Sequence, residues 1–417
     1  MGSIGKPERA TQNRVIALFR DALDYRYLGD WSDRAGNGCV EPSLLTPWLE
    51  KKGYSEAQIA RALDILGHEL GHTGRDLYHD NQAVYGRLRY GVPVKTEAGQ
   101  VTESVFLIDW NNPANNDFAI AEEVTLRGGH ERRPDLVLYV NGIAVAVIEL
   151  KNSCVGMGEG IRQLLSNQQP EFNADFFRTV QFVFAGNDSE GLKYGTIGTP
   201  EKFFLRWKED EQDNAGYKLD KYLAKMCRKD RLIELLRDFM LFDGGIKKVP
   251  RMHQYFAVKA AQARIDNDEG GVIWHTQGSG KSIVMVLLAR WMLEHNPNAR
   301  VAIITDRDEL DKQIERVFRD ANETPYRAKS GRDLMASLGK ASPRLICSLV
   351  HKFGLDARGK SRKEFEAFIE ELGNGPSRVA GELFVFVDEC HRTQSGRLHR
   401  AMKALLPEAV FIGFSGT

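Results

Sequence analysis

The tightest constraint on what this chain can fold into is Gly271-Val272-Ile273-Trp274-His275-Thr276-Gln277-Gly278-Ser279-Gly280-Lys281-Ser282. Val272 to Trp274 reads as a short buried strand, and Ile283-Val284-Met285-Val286-Leu287-Leu288 as a helix packed on a sheet. Between them, glycines let backbone N–H groups converge at a helix N-terminus, whose partial positive charge favours phosphate. Lys281 then reaches the β/γ-phosphates and the Ser282 hydroxyl ligates Mg²⁺. One departure is plain: the full G-x-x-x-x-G-K-[ST] pattern asks for glycine at position 275, and this chain has His275.

At 417 residues the chain exceeds one ordinary core, so two or three domains are expected. Its 57 basic and 57 acidic residues cancel, so binding to nucleic acid has to come from local basic faces. Cys39, Cys154, Cys227, Cys347 and Cys390 are scattered without C-x-x-C spacing. That argues for a reducing compartment and against a disulfide framework or a cysteine zinc site. No apolar run approaches the length of a membrane span, and the expectation is a cytoplasmic protein with no membrane partner.

Thr11 to Arg89 reads as helical, with Val15, Leu18, Phe19, Ala22 and Leu23 on one apolar face. Gly53 closes a second helix, and Ser55-x-x-Gln58 is a capping box that opens a third. Glu8, just ahead of the first helix, is a further candidate metal ligand. His68-Glu69-Leu70-Gly71-His72 satisfies H-E-x-x-H, the zinc-protease pattern, but Gly71 weakens the helix it needs and Thr73-Gly74 ends it. From Val105 onward short strands are expected: Phe106 to Trp110, Phe118 to Leu126, Leu136 to Val140 and Ala144 to Leu150, then a helix from Gly158 to Asn167 and a strand from Val180 to Phe184. A small α/β domain is the natural reading.

Within it, Arg133-Pro134-Asp135 opens a hairpin that turns at Asn141-Gly142 and closes with Glu149-Leu150-Lys151. Glu149 and Lys151 lie two apart on a strand and share a face. Burying an acid and an amine there is costly unless they face a cleft, a metal or one another. With Asp135 across from Glu149, two carboxylates would converge on one Mg²⁺ and Lys151 would handle the attacking water. A two-residue turn, however, pairs Asp135 with Ile148 and turns it away, so the metal reading requires a three-residue loop or a bulge. The alternative is a surface ion pair, Glu149 with Lys151 or Asp135 with Arg133, and spacing alone does not choose.

Trp207 to Asp213 reads as a solvent-exposed connection, and Tyr222 to Phe239 as helix with Lys225, Arg228, Lys229 and Arg231 on a solvated or a DNA-facing side. Asp243-Gly244-Gly245 marks the expected boundary. The expected division is a first domain over 1–243 and a parallel-sheet lobe over 244–417. The first domain divides further into a helical segment over 1–95, a core over about 100–208 and connecting helices over 209–243. In the second lobe, Val301 to Thr305 is a strand followed by a helix through Val317, and Leu345 to Ser348 is a strand. Apolar Phe384 to Val387 delivers Asp388-Glu389-Cys390-His391 at a strand's carboxyl end, where open α/β sheets bind ligands. Asp388 would hold Mg²⁺ and Glu389 would orient the hydrolytic water.

The C-terminal region, from about residue 250, resembles the first RecA-like lobe of a superfamily-two DExH helicase or translocase. The resemblance implies that Gln254 contacts adenine, beside the ATP cradle of Gly278, Ser279, Gly280, Lys281 and Ser282. It also implies that Thr305 and Arg307, with the later Ser348 to Phe353, border DNA, that Asp388 to Gln394 is the DExH box, and that Ser415 and Thr417 couple hydrolysis to movement. Pro134-Asp135 followed by Glu149-Leu150-Lys151 resembles the PD-(D/E)xK nuclease signature. That resemblance implies Asp135, Glu149 and the Leu150 backbone carbonyl as metal ligands, with Lys151 at the nucleophilic water. Gln163 matches the glutamine of a DNA-contacting Gln-x-x-x-Tyr, whereas Asn167 stands in place of the tyrosine.

A nuclease of this type ahead of a DExH motor resembles the restriction subunit of a type I restriction-modification enzyme. The resemblance implies a prokaryotic, ATP- and Mg²⁺-dependent enzyme that translocates and cleaves double-stranded DNA. It also implies modification and specificity subunits as partners, through which S-adenosylmethionine enters. The family's second motor lobe is not expected within these residues. A stand-alone repair helicase-nuclease and a non-catalytic DNA-tethering module are the alternatives.

Overall fold

The computed structural model describes residues 8–96, 99, 101–213, 215–305, 312, 314, 315, 318, 325–349, 370, 380–388 and 402–416. The chain divides into two compact units, 1–252 and 253–417.

The first unit opens with α1 (Glu8–Ala17), which runs into a wider turn over Leu18–Ala22. The stretch expected to be helical throughout is interrupted by a strand, β1 (Arg26–Asp30). Three helices follow: α2 (Pro42–Lys51), α3 (Glu56–Leu70) and α4 (Leu77–Tyr90). The Ser55–Gln58 capping box forms at the head of α3, satisfying donors that the helix cannot pair itself. The next strands are β2 (Val92–Val94), β3 (Glu103–Val105), β4 (Phe118–Glu122), β5 (Leu126–Arg127), β6 (Glu131–Arg132), β7 (Leu136–Val140) and β8 (Ile143–Leu150). Phe106 to Trp110 is irregular rather than a strand. Its backbone is tied by side chains instead, as where the Asp109 N–H donates to Asn116 Oδ1 at 2.8 Å. The unit continues with α5 (Met157–Asn167), β9 (Phe182–Asn187), β10 (Gly191–Gly195), α6 (Lys218–Cys227), α7 (Lys229–Asp238) and the hairpin β11 (Leu241–Asp243)–β12 (Ile246–Lys248).

Six strands form one mixed sheet in the order β1-β4-β7-β8-β9-β10. Each residue of β7 and β8 is buried, and Val137, Tyr139, Ala144 and Val147 share one core with Met157, Ile161 and Leu164 of α5. At the hairpin tip, Asn141 and Gly142 both take positive φ, 53° and 79°, as a primed two-residue turn demands. A Cβ at Gly142 would stand 2.7 Å from Leu44 Cβ and 2.8 Å from the Glu41 carbonyl, so glycine alone fits.

At the end of this unit the connection expected to be solvent-exposed is so from Lys208 to Asp213, with Glu209 half-buried, but Trp207 is fully buried, its indole N–H donating to Glu209 at 2.8 Å, which anchors the stretch. The basic residues of α6 and α7 serve internal ion pairs: Lys225 with Asp210 at 2.6 Å, Lys229 with Asp24 at 2.5 Å, and Arg231 with Glu209. The Asp243-Gly244-Gly245 break is the turn of β11–β12, and buried Lys247 on β12 donates to Asn81 Oδ1 at 2.6 Å and to Gln181. These bonds fasten the hairpin to the first unit, which runs on to residue 252.

In the second unit, α8 (Met252–Ile265) precedes β13 (Gly271–Trp274), α9 (Lys281–His295), β14 (Ala299–Thr305), β15 (Tyr326–Arg327), α10 (Gly331–Leu338), β16 (Leu345–Leu349), β17 (Glu382–Asp388) and β18 (Val410–Ser415). All six strands are parallel, in the order β13-β18-β17-β14-β16-β15. Apolar β14 and β17 sit centrally, as strands covered on both faces should. The expectation of a buried β13 is corrected: it is an edge strand, with Val272 64% and Trp274 72% exposed. Among the described residues no helix is long and apolar enough to cross a membrane.

Candidate functional site

Chain register decides the first site. With a two-residue turn, Val140 pairs with Ile143 and Tyr139 with Ala144, which left unbroken would set Asp135 against Ile148. Instead the pairing shifts by one: Leu138 faces Ala146, Val137 faces Val147, and Leu136 faces Ile148. Val145 is the extra residue, and its carbonyl accepts from the Gln181 N–H at 2.8 Å. One step further along the shifted register, Asp135 stands opposite Glu149. This is the bulge that the metal reading required.

The electrostatics of the pair are unbalanced. Glu149 is 0% exposed and neither carboxylate oxygen has a hydrogen-bond partner. Burial, and next the charge on Asp135, push its carboxyl well above the usual carboxylate range. Asp135 is also buried; its Oδ2 accepts from the Leu150 N–H at 2.6 Å, yet burial outweighs that bond and lifts it to about 6. Lys151 Nζ lies 3.8 Å from Glu149 and 3.5 Å from Glu8, too far to satisfy either by a direct bond. Of the ion pairs offered as the alternative, Lys151 does lie 3.8 Å from Glu149, but that carboxylate is buried rather than at the surface, and Arg133 turns to Thr125 and Glu131 instead of Asp135.

Buried carboxylates with unfilled lone pairs fit a divalent cation, since only a positive charge removes the cost of holding both ionised. No set of three or more His, Cys, Asp or Glu forms a ready cage among the described residues. A cation here would therefore rest on the two acids plus backbone or water oxygens, as hard cations accept. The arrangement is braced by Gln12 on α1, which sequence reasoning missed. Its amide donates to Glu122 and Glu123, both at 3.0 Å, and to the Asp135 carbonyl at 3.4 Å. A glutamine one turn after Glu8 was the available signal.

The other residues assigned to the first unit fare differently. Gln163 is half-buried on α5, while Asn167 is fully buried and offers no face for stacking a base. The H-E-x-x-H reading fails on geometry. Helix α3 ends at Leu70, His68 is 82% exposed beside Asp64, and Glu69 is paired with Arg75 at 2.6 Å. His72 lies beyond the helix, so the two imidazoles do not share a helical face.

In the second unit, the loop between β13 and α9 carries Gly278 and Gly280 at φ 79° and 89°. Its shape is held from α8: His253 Nε2 meets the Ser279 carbonyl at 2.9 Å and the Gln254 amide donates to the same oxygen at 3.0 Å. A carbonyl only accepts, so His253 carries its proton on Nε2. Turning loop carbonyls outward turns the N–H groups of the same peptides inward, which is what an anion cradle needs. Gln254 is thus buried against the loop, and a Cβ at Gly280 would collide with its amide. Lys281 is folded back, Nζ 3.4 Å from the His275 carbonyl, and Ser282 starts the helix beside it. Burial, then the nearby His253 and Lys281, lower His275 below the ordinary imidazole range.

Three strand ends meet close by. Asp388 closes β17, Ser415 closes β18 and Thr305 closes β14. The His275 N–H donates to the Ser415 carbonyl at 3.0 Å, which joins the loop to the end of β18. Thr305, expected to border DNA, is instead buried, with its hydroxyl donating to Asp388 Oδ2 at 3.1 Å. A threonine at a strand end carries no sequence mark that distinguishes the two roles. Arg307, Glu389, Thr417, the rest of the DExH box and the end of Ser348 to Phe353 lie outside the described residues, whereas of the helix expected through Val317 the described residues Lys312, Ile314 and Glu315 are helical.

Comparison with known proteins agrees with this division. Residues 6–202 match the family "Type I restriction enzyme R protein N terminus", and residues 253–417 match the family "SWI2/SNF2 ATPase". Among curated proteins, the chain is 28% identical over 413 residues to the "Putative type I restriction enzyme MjaIXP endonuclease subunit" of Methanocaldococcus jannaschii, covering 89% of this chain and 37% of the relative. It is 29% identical to the "Type I restriction enzyme HindI endonuclease subunit" of Haemophilus influenzae, covering 82% and 35%. A Staphylococcus aureus relative, the SauMSSORF170P endonuclease subunit, is 24% identical, covering 79% and 35%. The chain therefore spans little more than a third of the length of the relatives it matches.

Proposed function

We propose, for a chain that belongs to the type I restriction enzyme R proteins through its first unit and to the SWI2/SNF2 ATPases through its second, that it houses a metal-dependent DNA scissors and the nucleotide-binding half of a DNA translocase. The observation that carries the reading is the bulge-set pair of Asp135 and partnerless Glu149, with Lys151 alongside. A Mg²⁺ ion held there would polarise a phosphodiester and acidify a water molecule. The chain's own contribution is to fix the two carboxylates, to exclude bulk water from Glu149, and to hold the Lys151 ammonium beside the attacking oxygen.

At the second site, backbone N–H groups of the loop Gly278 to Ser282 take the phosphates of ATP. Lys281 leaves the His275 carbonyl for the β/γ-phosphates, and Asp388 and Ser282 hold the nucleotide's Mg²⁺. Gln254, assigned to adenine from sequence, also steadies this loop. Glu389 orients water, and Ser415 and Thr417 pass the change at the phosphates onward. Duplex DNA is the substrate, approached through Gln163 and, on the motor, Arg307. Modification and specificity subunits that use S-adenosylmethionine complete a cytoplasmic assembly.

The test is separation of the two chemistries in the full-length protein with its partner subunits. Lys281→Ala is expected to abolish ATP hydrolysis and, with it, cutting. Asp135→Ala is expected to reduce cutting by at least about 10²-fold while hydrolysis persists. Loss of both activities in a folded Asp135→Ala protein would refute the proposal.

A further inference from the structure

We infer that the hairpin β5–β6, immediately upstream of Asp135, is a stiff basic grip for the sugar-phosphate backbone of duplex DNA beside the acid pair; this rests on the nuclease reading above. Residues 127–133 read Arg-Gly-Gly-His-Glu-Arg-Arg, three guanidiniums and an imidazole against one acid, in a chain whose charges cancel overall.

The hairpin hangs directly from the candidate metal ligand. At its base the Glu123 N–H donates to the Asp135 carbonyl at 2.9 Å and the Val124 N–H to the Pro134 carbonyl at 3.2 Å. Its tip is pinned as well. The Gly128 N–H donates to Asn173 Oδ1 and the Gly129 N–H to the Phe172 carbonyl, both at 2.8 Å, and Asn173 Nδ2 reaches the His130 carbonyl at 3.1 Å. Side chains at 128 or 129 would run into the carbonyls of Phe172 and Glu171, so the glycine pair is what lets the tip seat. The Arg132 guanidinium lies over the Phe172 ring, 4.2 Å from its centre.

The backbone is thus fixed while the charges are left over. Arg127 and Arg133 stand 3.9 and 4.0 Å from Glu131, an acid that is itself exposed, and Arg133 Nε also donates to the neutral Thr125 hydroxyl oxygen at 3.2 Å. Arg132 has no carboxylate within reach among the described residues. Lys225, Lys229 and Lys52 are neutralised at much closer range, the last 2.7 Å from Asp109. The helices α6 and α7 that sequence made a candidate DNA face have their charge spent internally, and this hairpin does not.

Asp135 lies three positions after Arg132, a span of about 10 Å at most. Its guanidinium therefore reaches a phosphate one or two nucleotides from the one being cut. A planar guanidinium grips phosphate in two-point fashion, and contacts of this kind place the duplex without reading its sequence. That is the grip a cutter needs when recognition is done elsewhere.

The experiment uses the 417-residue chain and a short fluorescent duplex, titrated by anisotropy with Ca²⁺ across a salt series. Arg127→Gln/Arg132→Gln should weaken binding by roughly tenfold or more at low salt. It should also lower the slope of log K against log salt by about two, at ~0.9 per lost phosphate contact. Arg127→Lys/Arg132→Lys should keep most of the slope, and Arg228→Gln/Lys229→Gln should leave it unchanged. An unchanged slope in the glutamine pair overturns the inference. So does a lysine pair as defective as the glutamine pair, or a glutamine pair that loses only an acidic protein partner. Cutting by the full-length protein with its partner subunits, lost on Asp135→Asn, reports on the acid pair by itself, so the grip and the acid pair fail separately.

Discussion

The two candidate sites treat charge in opposite ways. In the first unit Glu149 has no partner for either oxygen, and Asp135 beside it is raised to about 6. In the second unit three of the described groups have already found something to hold: Lys281 a carbonyl, Asp388 the Thr305 hydroxyl, the phosphate loop His253 and Gln254. One site is finished except for a positive ion, whereas the other is a closed fist that has to exchange internal bonds for ligand bonds. A pre-formed acid pair suits an ion with few geometric demands. A self-satisfied loop suits a ligand that comes and goes each cycle.

The largest test of that contrast is stability against pH without metal. A carboxyl raised from 3.8 to about 6 stabilises the fold fully at low pH and loses that contribution as the pH rises through 6, worth roughly 3 kcal/mol for Asp135. Thermal unfolding should therefore show the metal-free protein weakening from pH 4 to 8. Glu149→Gln, inactive in cutting, should flatten the loss, and saturating Mg²⁺ should restore about 2–3 kcal/mol in the native protein only. A Glu149→Gln protein with the native pH profile would break the comparison.

Next in size is Thr305→Val, which removes the hydroxyl from Asp388 and leaves a carboxylate less well held. ATP hydrolysis should fall about tenfold, the worth of one hydrogen bond to a charged group. The Mg²⁺ requirement should rise while metal-free nucleotide binding stays level. If DNA affinity changes instead, Thr305 belongs to the role first read from sequence. Smaller still, His253→Phe should weaken ATP and GTP alike by roughly fivefold, since the loop rather than the base is disturbed. His253→Gln, which keeps a donor, should recover most of it. An effect confined to ATP would place His253 at the base.

Local chemistry was legible wherever the cause lay within a few residues. Asn141-Gly142 dictated a primed turn, Ser55 and Gln58 dictated a capping box, and Gly278 and Gly280 dictated a loop of positive φ. What stayed hidden was set at long range. Edge strand β1 has no alternation of burial to betray it and owes its conformation to parallel pairing with β4. Val272 and Trp274 are apolar enough to predict burial, but β13 lies at the sheet's rim. The bulge at Val145 answers to Gln181, thirty-six positions away, and nothing in the hairpin's own residues announces it.

That bulge makes the hairpin a parity device. Because neighbouring side chains on a strand face opposite ways, one residue more or fewer between positions 135 and 149 would aim an acid at the wrong side of the sheet. Such an insertion or deletion would leave helix content, solubility and ATP turnover untouched and, if the pair holds the metal as proposed, still blunt the blade. The protein would look intact by every bulk measure while its two acids no longer faced one another.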